Sequence, residues 1–190
     1  GRWAVKEALA QRQFDGVRRD LDKLALGSYF AEVVEALCEE GQSEPELLSL
    51  ILNSLHALDA MNVPLRQVKT AFEWRAMALA GYEPMADACA VCGRQTPEDP
   101  RIHLGEGVLH CAACRSGVGE GISMPLTGAA VGALRHILYG SPKRLFSFRI
   151  DETSLGQLAD ASEAYLMTRL ERGFRTLDFY KSLSAAAPEG

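Results

Sequence analysis

No run of about 18 apolar residues occurs in the 190-residue sequence, so no membrane-crossing helix is expected. The opening residues, Gly1-Arg2-Trp3-Ala4-Val5, lack the apolar stretch and small-residue cleavage site of a secretory signal, and a cytoplasmic location is expected. Lys and Arg are missing altogether between Lys23 and Arg66, while Glu32, Glu35, Glu39, Glu40, Glu44, Glu46 and Asp59 all fall there. That stretch would repel a nucleic-acid backbone, and a net charge of -5 excludes a uniformly basic surface. Any nucleic-acid contact has to come from local patches.

Catalytic patterns are also missing. There is no phosphate-binding glycine loop and no H-E-x-x-H helix. His56 and His136 fall within apolar helical stretches, with no nucleophile pattern nearby, and read as interior or boundary histidines. Asp151-Glu152 and the pair Asp20 and Asp22 read as helix-start and surface charges. A non-enzyme is expected.

What is present is a helical pattern. Hydrophobic residues make up 47% of the chain, enough for one sizeable core. Val17, Leu21, Leu24, Val33, Val34 and Leu37 recur at helical steps, predicting one long or two consecutive helices from about Trp3 to Glu40, stopped by Gly41. Ser43-Glu44-Pro45-Glu46 reads as a capping box opening a leucine-rich helix, apolar around most of its circumference and therefore central. Asn62 is expected to end it in the left-handed conformation, and Pro64 to open a third helix that ends at Gly81. Thr127 caps a further helix that stops at Gly140, Phe146, Phe148 and Ile150 suggest an extended segment, and a last helix runs from about Ser154 to Phe174.

Between Tyr82 and Ile122 the helical period gives way to glycine, proline and cysteine. Cys89-Ala-Val-Cys92 and Cys111-Ala-Ala-Cys114 are two C-x-x-C knuckles, and Gly105-Glu106-Gly107 between Leu104 and Val108 marks a hairpin turn. Two knuckles joined by a hairpin complete a tetrahedral sulfur cage, so one structural zinc ion on Cys89, Cys92, Cys111 and Cys114 is expected. A thioredoxin-type dithiol needs a βαβ context that this sequence lacks. His103 and His110 read as surface residues of the hairpin, and Cys38 as a buried packing residue.

The expected fold is mainly α: a helical bundle with an inserted small four-cysteine zinc ribbon holding a short β-hairpin. Residues 1–84 form the first part of the helical domain, 85–122 the ribbon, 123–183 the second helical part and 184–190 a frayed tail.

Basic residues gather in patches. On a continuous first helix Arg12, Arg19 and Lys23 would share a face, and Arg169, Arg172 and Arg175 step by three along the last one. Lys143, Arg144 and Arg149 mix cations with Phe146 and Phe148, as nucleic-acid and acidic-peptide sites do.

The order of features is itself informative. Ser28-Tyr29-Phe30-Ala31-Glu32, the leucine-rich helix, Phe72-Glu73-Trp74-Arg75, Ala80-Gly81-Tyr82-Glu83-Pro84, the C-x-x-C-Gly knuckle and the ending Arg172 to Tyr180 together resemble the C-terminal region of the bacterial recombination mediator RecO. The resemblance implies a helical domain with a four-cysteine zinc site, following an OB-fold that has no counterpart here, so the chain is expected to be a fragment. It also implies a role in the RecF pathway of recombination and repair, on the bacterial nucleoid. There RecO, with RecR, helps load RecA on single-stranded DNA coated by SSB, anneals strands and recognises the acidic, phenylalanine-ended SSB tail. Such a peptide needs an apolar slot rimmed by cations, for which Arg66, Lys69, Arg75, Arg169, Arg172 and Arg175 are candidates. Without the barrel, binding to single- and double-stranded DNA is expected to be weak. The alternative is a zinc-ribbon helical regulator of transcription or translation whose ribbon contacts nucleic acid directly.

Overall fold

A computed structural model describes residue 4, residues 6 and 7, and residues 9–186. Among these are seven α-helices and a small three-stranded sheet: α1 (Asp15–Arg18), α2 (Leu21–Leu37), α3 (Pro45–Ala60), α4 (Leu65–Leu79), β1 (Pro100–His103), β2 (Val108–Cys111), β3 (Ser123–Pro125), α5 (Gly128–Tyr139), α6 (Glu152–Leu170) and α7 (Arg175–Ala186). The architecture is the mainly α fold with a cysteine ribbon that the sequence predicts. No described helix is long and apolar enough to cross a membrane.

Of one long or two consecutive helices, the expected first stretch forms two, and only from Asp15 onward among the described residues. Phe14 adopts a left-handed conformation (φ 47°), and Asp20 sits extended with its carboxylate accepting the Lys23 N–H at 3.1 Å, which starts α2 afresh. Arg12, Arg19 and Lys23 therefore share no helical face. Residues 3, 5 and 8 of that expectation lie outside the described residues, as do residues 187–190 of the expected tail.

α2 stops at Leu37 rather than at Gly41, because Cys38 turns extended and exposed instead of packing in the core. Glu44, not Ser43, precedes α3, with no side-chain cap, and Pro45 occupies the first turn. Met61 ends α3 extended, and Asn62 is not left-handed. The central helix is α4, where Val68, Phe72, Trp74 and Met77 are all fully buried, whereas α3 leaves Leu48 and Leu52 exposed.

Aromatic contacts hold α4 in place. Phe30 of α2 stacks on Phe72 at 4.1 Å, and Trp74 meets Tyr165 of α6 at 5.1 Å. Within the same core, the Lys69 ammonium lies 2.7 Å from Glu73 and 2.9 Å from Glu163, while Glu73 also accepts hydrogen bonds from Tyr29 Oη (2.7 Å) and Ser162 Oγ (2.5 Å). Burial pulls the Lys69 ammonium down, but the two carboxylates outweigh it and hold its pKa above the ordinary value.

Thr127 caps α5, its hydroxyl accepting the Ala130 N–H at 3.0 Å. Residues 143–150 are not a strand: a 3-10 turn at Pro142–Arg144 leads into a segment that buries Phe146 and Phe148 beneath two hydrogen bonds from Gln67. The helix expected over residues 154–174 ends at Leu170, and α7, which the sequence did not predict, follows it. Glu171 turns left-handed (φ 50°) after α6, so Arg169, Arg172 and Arg175 do not step along one face.

The ribbon sheet has the order β2-β1-β3, antiparallel throughout, with Ile102 opposite Leu109 and Met124. Ile102, Leu104 and Leu109 pack into the same hydrophobic cluster as the helices. Gly107, at the hairpin turn (φ 67°), lies so close to α6 that a Cβ would meet Tyr165 Oη at 2.6 Å.

Candidate metal centre and partner groove

The two knuckles bring their sulfurs together. Cys89 and Cys92 precede the hairpin, Cys111 ends β2, and Cys114 lies on the 3-10 turn Ala112–Gly117. All four sulfurs lie within 4.8 Å of one another, and Cys92 Sγ is 3.8 Å from Cys111 Sγ. Metal–thiolate bonds of about 2.3 Å in a tetrahedron demand sulfur–sulfur edges of about 3.75 Å. The residues fit a metal ion.

The electrostatics agree with the geometry. Burial pushes the Cys89 thiol up, but backbone hydrogen bonds from Cys92, Cys111 and Val91 outweigh it and bring it down to about 6. Cys111 moves the other way, raised by burial and by the Cys92 and Cys89 sulfurs against a backbone hydrogen bond at Glu98. Cys114 is pushed up to about 12 by burial and by the same two sulfurs. Four thiolates this close repel one another's ionisation unless a cation lies among them. With a cation bound, four sulfurs fill a tetrahedral shell and leave no open position for substrate.

Sequence reasoning missed what holds the first knuckle. Arg135 of α5 donates from Nε to the Ala86 carbonyl (2.7 Å) and from Nη2 to the carbonyls of Asp87 (2.8 Å) and Gln95 (2.7 Å). A contact across 40 to 49 residues leaves no local signal. His103 and His110 are buried, not surface residues: folding the ribbon onto the helices covers both. His110 Nδ1 pairs with the Cys111 carbonyl and Nε2 with Ser123 Oγ, each at 2.8 Å, linking β2 to the start of β3.

The basic candidates divide into committed and open ones. Lys69 is buried in its ion pairs, and Arg66 reaches Glu152 (3.2 Å) and Asp160 (3.3 Å). Arg169 lies over the Tyr165 ring at 5.1 Å, and Arg172 lies over Phe174 at 5.0 Å and beside Glu32 at 3.6 Å. Arg75 donates to the Leu138 carbonyl at 2.5 Å, at the end of α5. Lys143, Arg144, Arg149 and Arg175 are exposed.

Two of these cations meet along a groove on α3. One cavity, of roughly 190 Å³, is lined by Leu50, Arg75, Leu79 and Leu145; the next, of roughly 500 Å³, by Met61, Lys143 and Phe146; both share Ser49, Asn53 and Pro142. A third, of roughly 530 Å³, continues past His56 to Arg12 and Phe14. Arg66 and Lys69 border a different cavity, with Asp160, Glu163 and Lys181.

The chain matches the family described as "Recombination protein O C terminal" over residues 18–178. It is 32% identical over 185 residues to the DNA repair protein RecO of Desulforudis audaxviator, covering 96% of this chain and 72% of that protein. Identity to the DNA repair protein RecO of Acetivibrio thermocellus is 29% over 170 residues (90% of this chain and 67% of that protein), and to that of Anaeromyxobacter sp. strain K 34% over 162 residues (85% and 63%).

Proposed function

The chain belongs to the recombination protein O C-terminal family, and from that premise we propose that it serves DNA repair as a non-catalytic mediator module. In this reading it acts with RecR in the RecF pathway, on the nucleoid in the cytoplasm, to help RecA load on SSB-coated single-stranded DNA and to assist strand annealing. It turns over no substrate. The four-thiolate cage holds zinc, which keeps the ribbon folded and takes no part in chemistry.

Family membership carries the repair role, and the α3 groove supports recognition of the SSB tail. A short acidic peptide ending in phenylalanine needs an apolar floor and a few cations at the rim. Leu50, Leu79, Leu145 and Phe146 supply such a floor and Lys143 stands exposed at its rim, while Arg75, which also holds the Leu138 carbonyl, and Glu46 line the inner end. Direct nucleic-acid contact by the ribbon has less in its favour. Arg115 is spent on the carbonyls of Gly119 and Gly121, Arg101 on that of Ser123, and Arg94 on Glu98.

Calorimetric titration with an SSB tail peptide, with and without its last residues, tests the reading. Lys143→Glu and Arg75→Ala are expected to weaken tail binding by about tenfold each, or about 1.4 kcal/mol, while Arg175→Ala leaves it unchanged. Absence of tail-dependent binding would remove the partner assignment and leave the metal centre untouched.

A further inference from the structure

The sulfur cage is asymmetric. Cys89 and Cys111 are buried and Cys114 is half-buried, but Cys92 is exposed. Backbone covers Cys89, whose sulfur accepts the Cys111 N–H at 3.4 Å. On the Cys92 side, Gly93 turns through the left-handed region (φ 73°), and nothing beyond its own chain neighbours lies within 4 Å of where a Cβ would stand. Cys92 is thus the side of the cage most open to solvent.

We propose that Cys92 is an oxidative modification site, the cage thiolate open to a hydroperoxide, and that its oxidation opens the metal cage. The inference rests on reading the four sulfurs as a metal centre. In the first step the Cys92 thiolate attacks the terminal hydroxyl oxygen of the peroxide; an S–O bond forms as the O–O bond breaks, and alkoxide (hydroxide, for hydrogen peroxide) leaves. Cys92 sulfur loses two electrons to become a sulfenic acid, and the peroxide gains them. In the second, the Cys111 thiolate, 3.8 Å away, attacks the sulfenic sulfur; an S–S bond forms and hydroxide leaves. The two steps consume two thiolates and one hydroperoxide, and yield one disulfide, one alkoxide and one hydroxide. Only Cys89 and Cys114 then remain for the metal, too few to hold it in a closed shell. Cys38 is exposed as well but lies outside the cage.

The test uses the metal-loaded chain carrying Cys38→Ser. Substoichiometric hydrogen peroxide is added with dimedone to trap sulfenic acid; adducts are mapped by mass spectrometry, and released metal is read with a chromogenic chelator. The adduct is expected on Cys92 at about tenfold over each of the other three sulfurs, with one ion released per two thiols lost without dimedone. Cys92→His keeps a nitrogen donor, and peroxide-driven release is expected to slow by about tenfold. Adducts spread evenly, or first on Cys114, would overturn the proposal, as would a Cys92→His chain that releases metal as fast as its parent. If Cys92→His holds no metal, the mapping in the parent chain decides. A purified chain with no metal at all overturns the metal-centre reading, and the proposal with it; metal present but the wrong sulfur oxidised overturns the proposal alone.

Discussion

Replacing Lys69 with methionine keeps the length of the side chain and deletes its charge. Glu73 is fully buried, with Lys69 as its one cationic partner among the described residues; Tyr29 and Ser162 offer it hydroxyl hydrogen bonds. Glu163 fares better because Lys181 also pairs with it. Removing one member of a buried pair leaves an uncompensated charge and costs about 3 to 5 kcal/mol. For a chain of this length each kcal/mol moves the melting temperature by about 2 to 4 °C, so a fall of about 6 to 20 °C is expected. Thermal melting followed by circular dichroism, with urea titration at 25 °C, measures it. Glu73→Gln in the Lys69→Met background removes the stranded charge and is expected to recover part of the loss. The pH dependence follows from Glu163, which burial pushes up and which Lys69 and Lys181 together hold below the ordinary carboxylate value. A depressed carboxylate contributes stability above its unfolded pKa and loses it as pH falls through the folded value. The gap between parent and Lys69→Met should therefore narrow below about pH 4.5. A Lys69→Met chain within about 1 kcal/mol of its parent at pH 7 would refute the reasoning, because it would show that the buried charges need no partner.

Three further outcomes test how the ribbon is joined to the helices. Gly107→Ala places a methyl 2.6 Å from Tyr165 Oη in a left-handed turn, and urea titration should register a loss of about 1 to 3 kcal/mol. Arg135→Ala frees three carbonyls of the first knuckle, and metal transfer to a competing chelator should speed up by about 10- to 100-fold while helical content is kept. Stripping the metal with a strong chelator is expected to change Trp74 fluorescence as well as the ribbon, since Trp74 packs on Tyr165, whose hydroxyl holds the Tyr82 carbonyl beside the hairpin turn; an unchanged emission spectrum would show that ribbon and body fold independently.

The pairing of the cysteines was legible because a C-x-x-C knuckle is a local device: its geometry is set within four residues, and a second knuckle beyond a glycine turn completes it. Thr127 as a cap and the hairpin over residues 100–111 were legible for the same reason. Where local signals competed, the reading failed. Periodicity alone did not decide between one helix and two before Glu40, carried the last helix past Leu170 to about Phe174 and did not place α7, because a break made by an Asp20 cap or a left-handed Glu171 changes the hydrophobic spacing very little.

By itself the sequence determined a helical body, four cysteines in two knuckles and the order of motifs that identifies the family, since each is a property of neighbours along the chain. Tertiary structure alone decided which cations are free and which are spent. Lys69 and Arg66 belong to carboxylates 86 to 94 residues away or one helical turn along and Arg75 holds the Leu138 carbonyl, whereas Lys143 stays exposed beside the α3 groove. It also decided that α4 rather than α3 is central, that His103 and His110 are buried, and that Arg135 grips the knuckle. The reason is physical: a charge or a buried face is defined by what folding brings against it, and long-range packing leaves no trace in the spacing of residues.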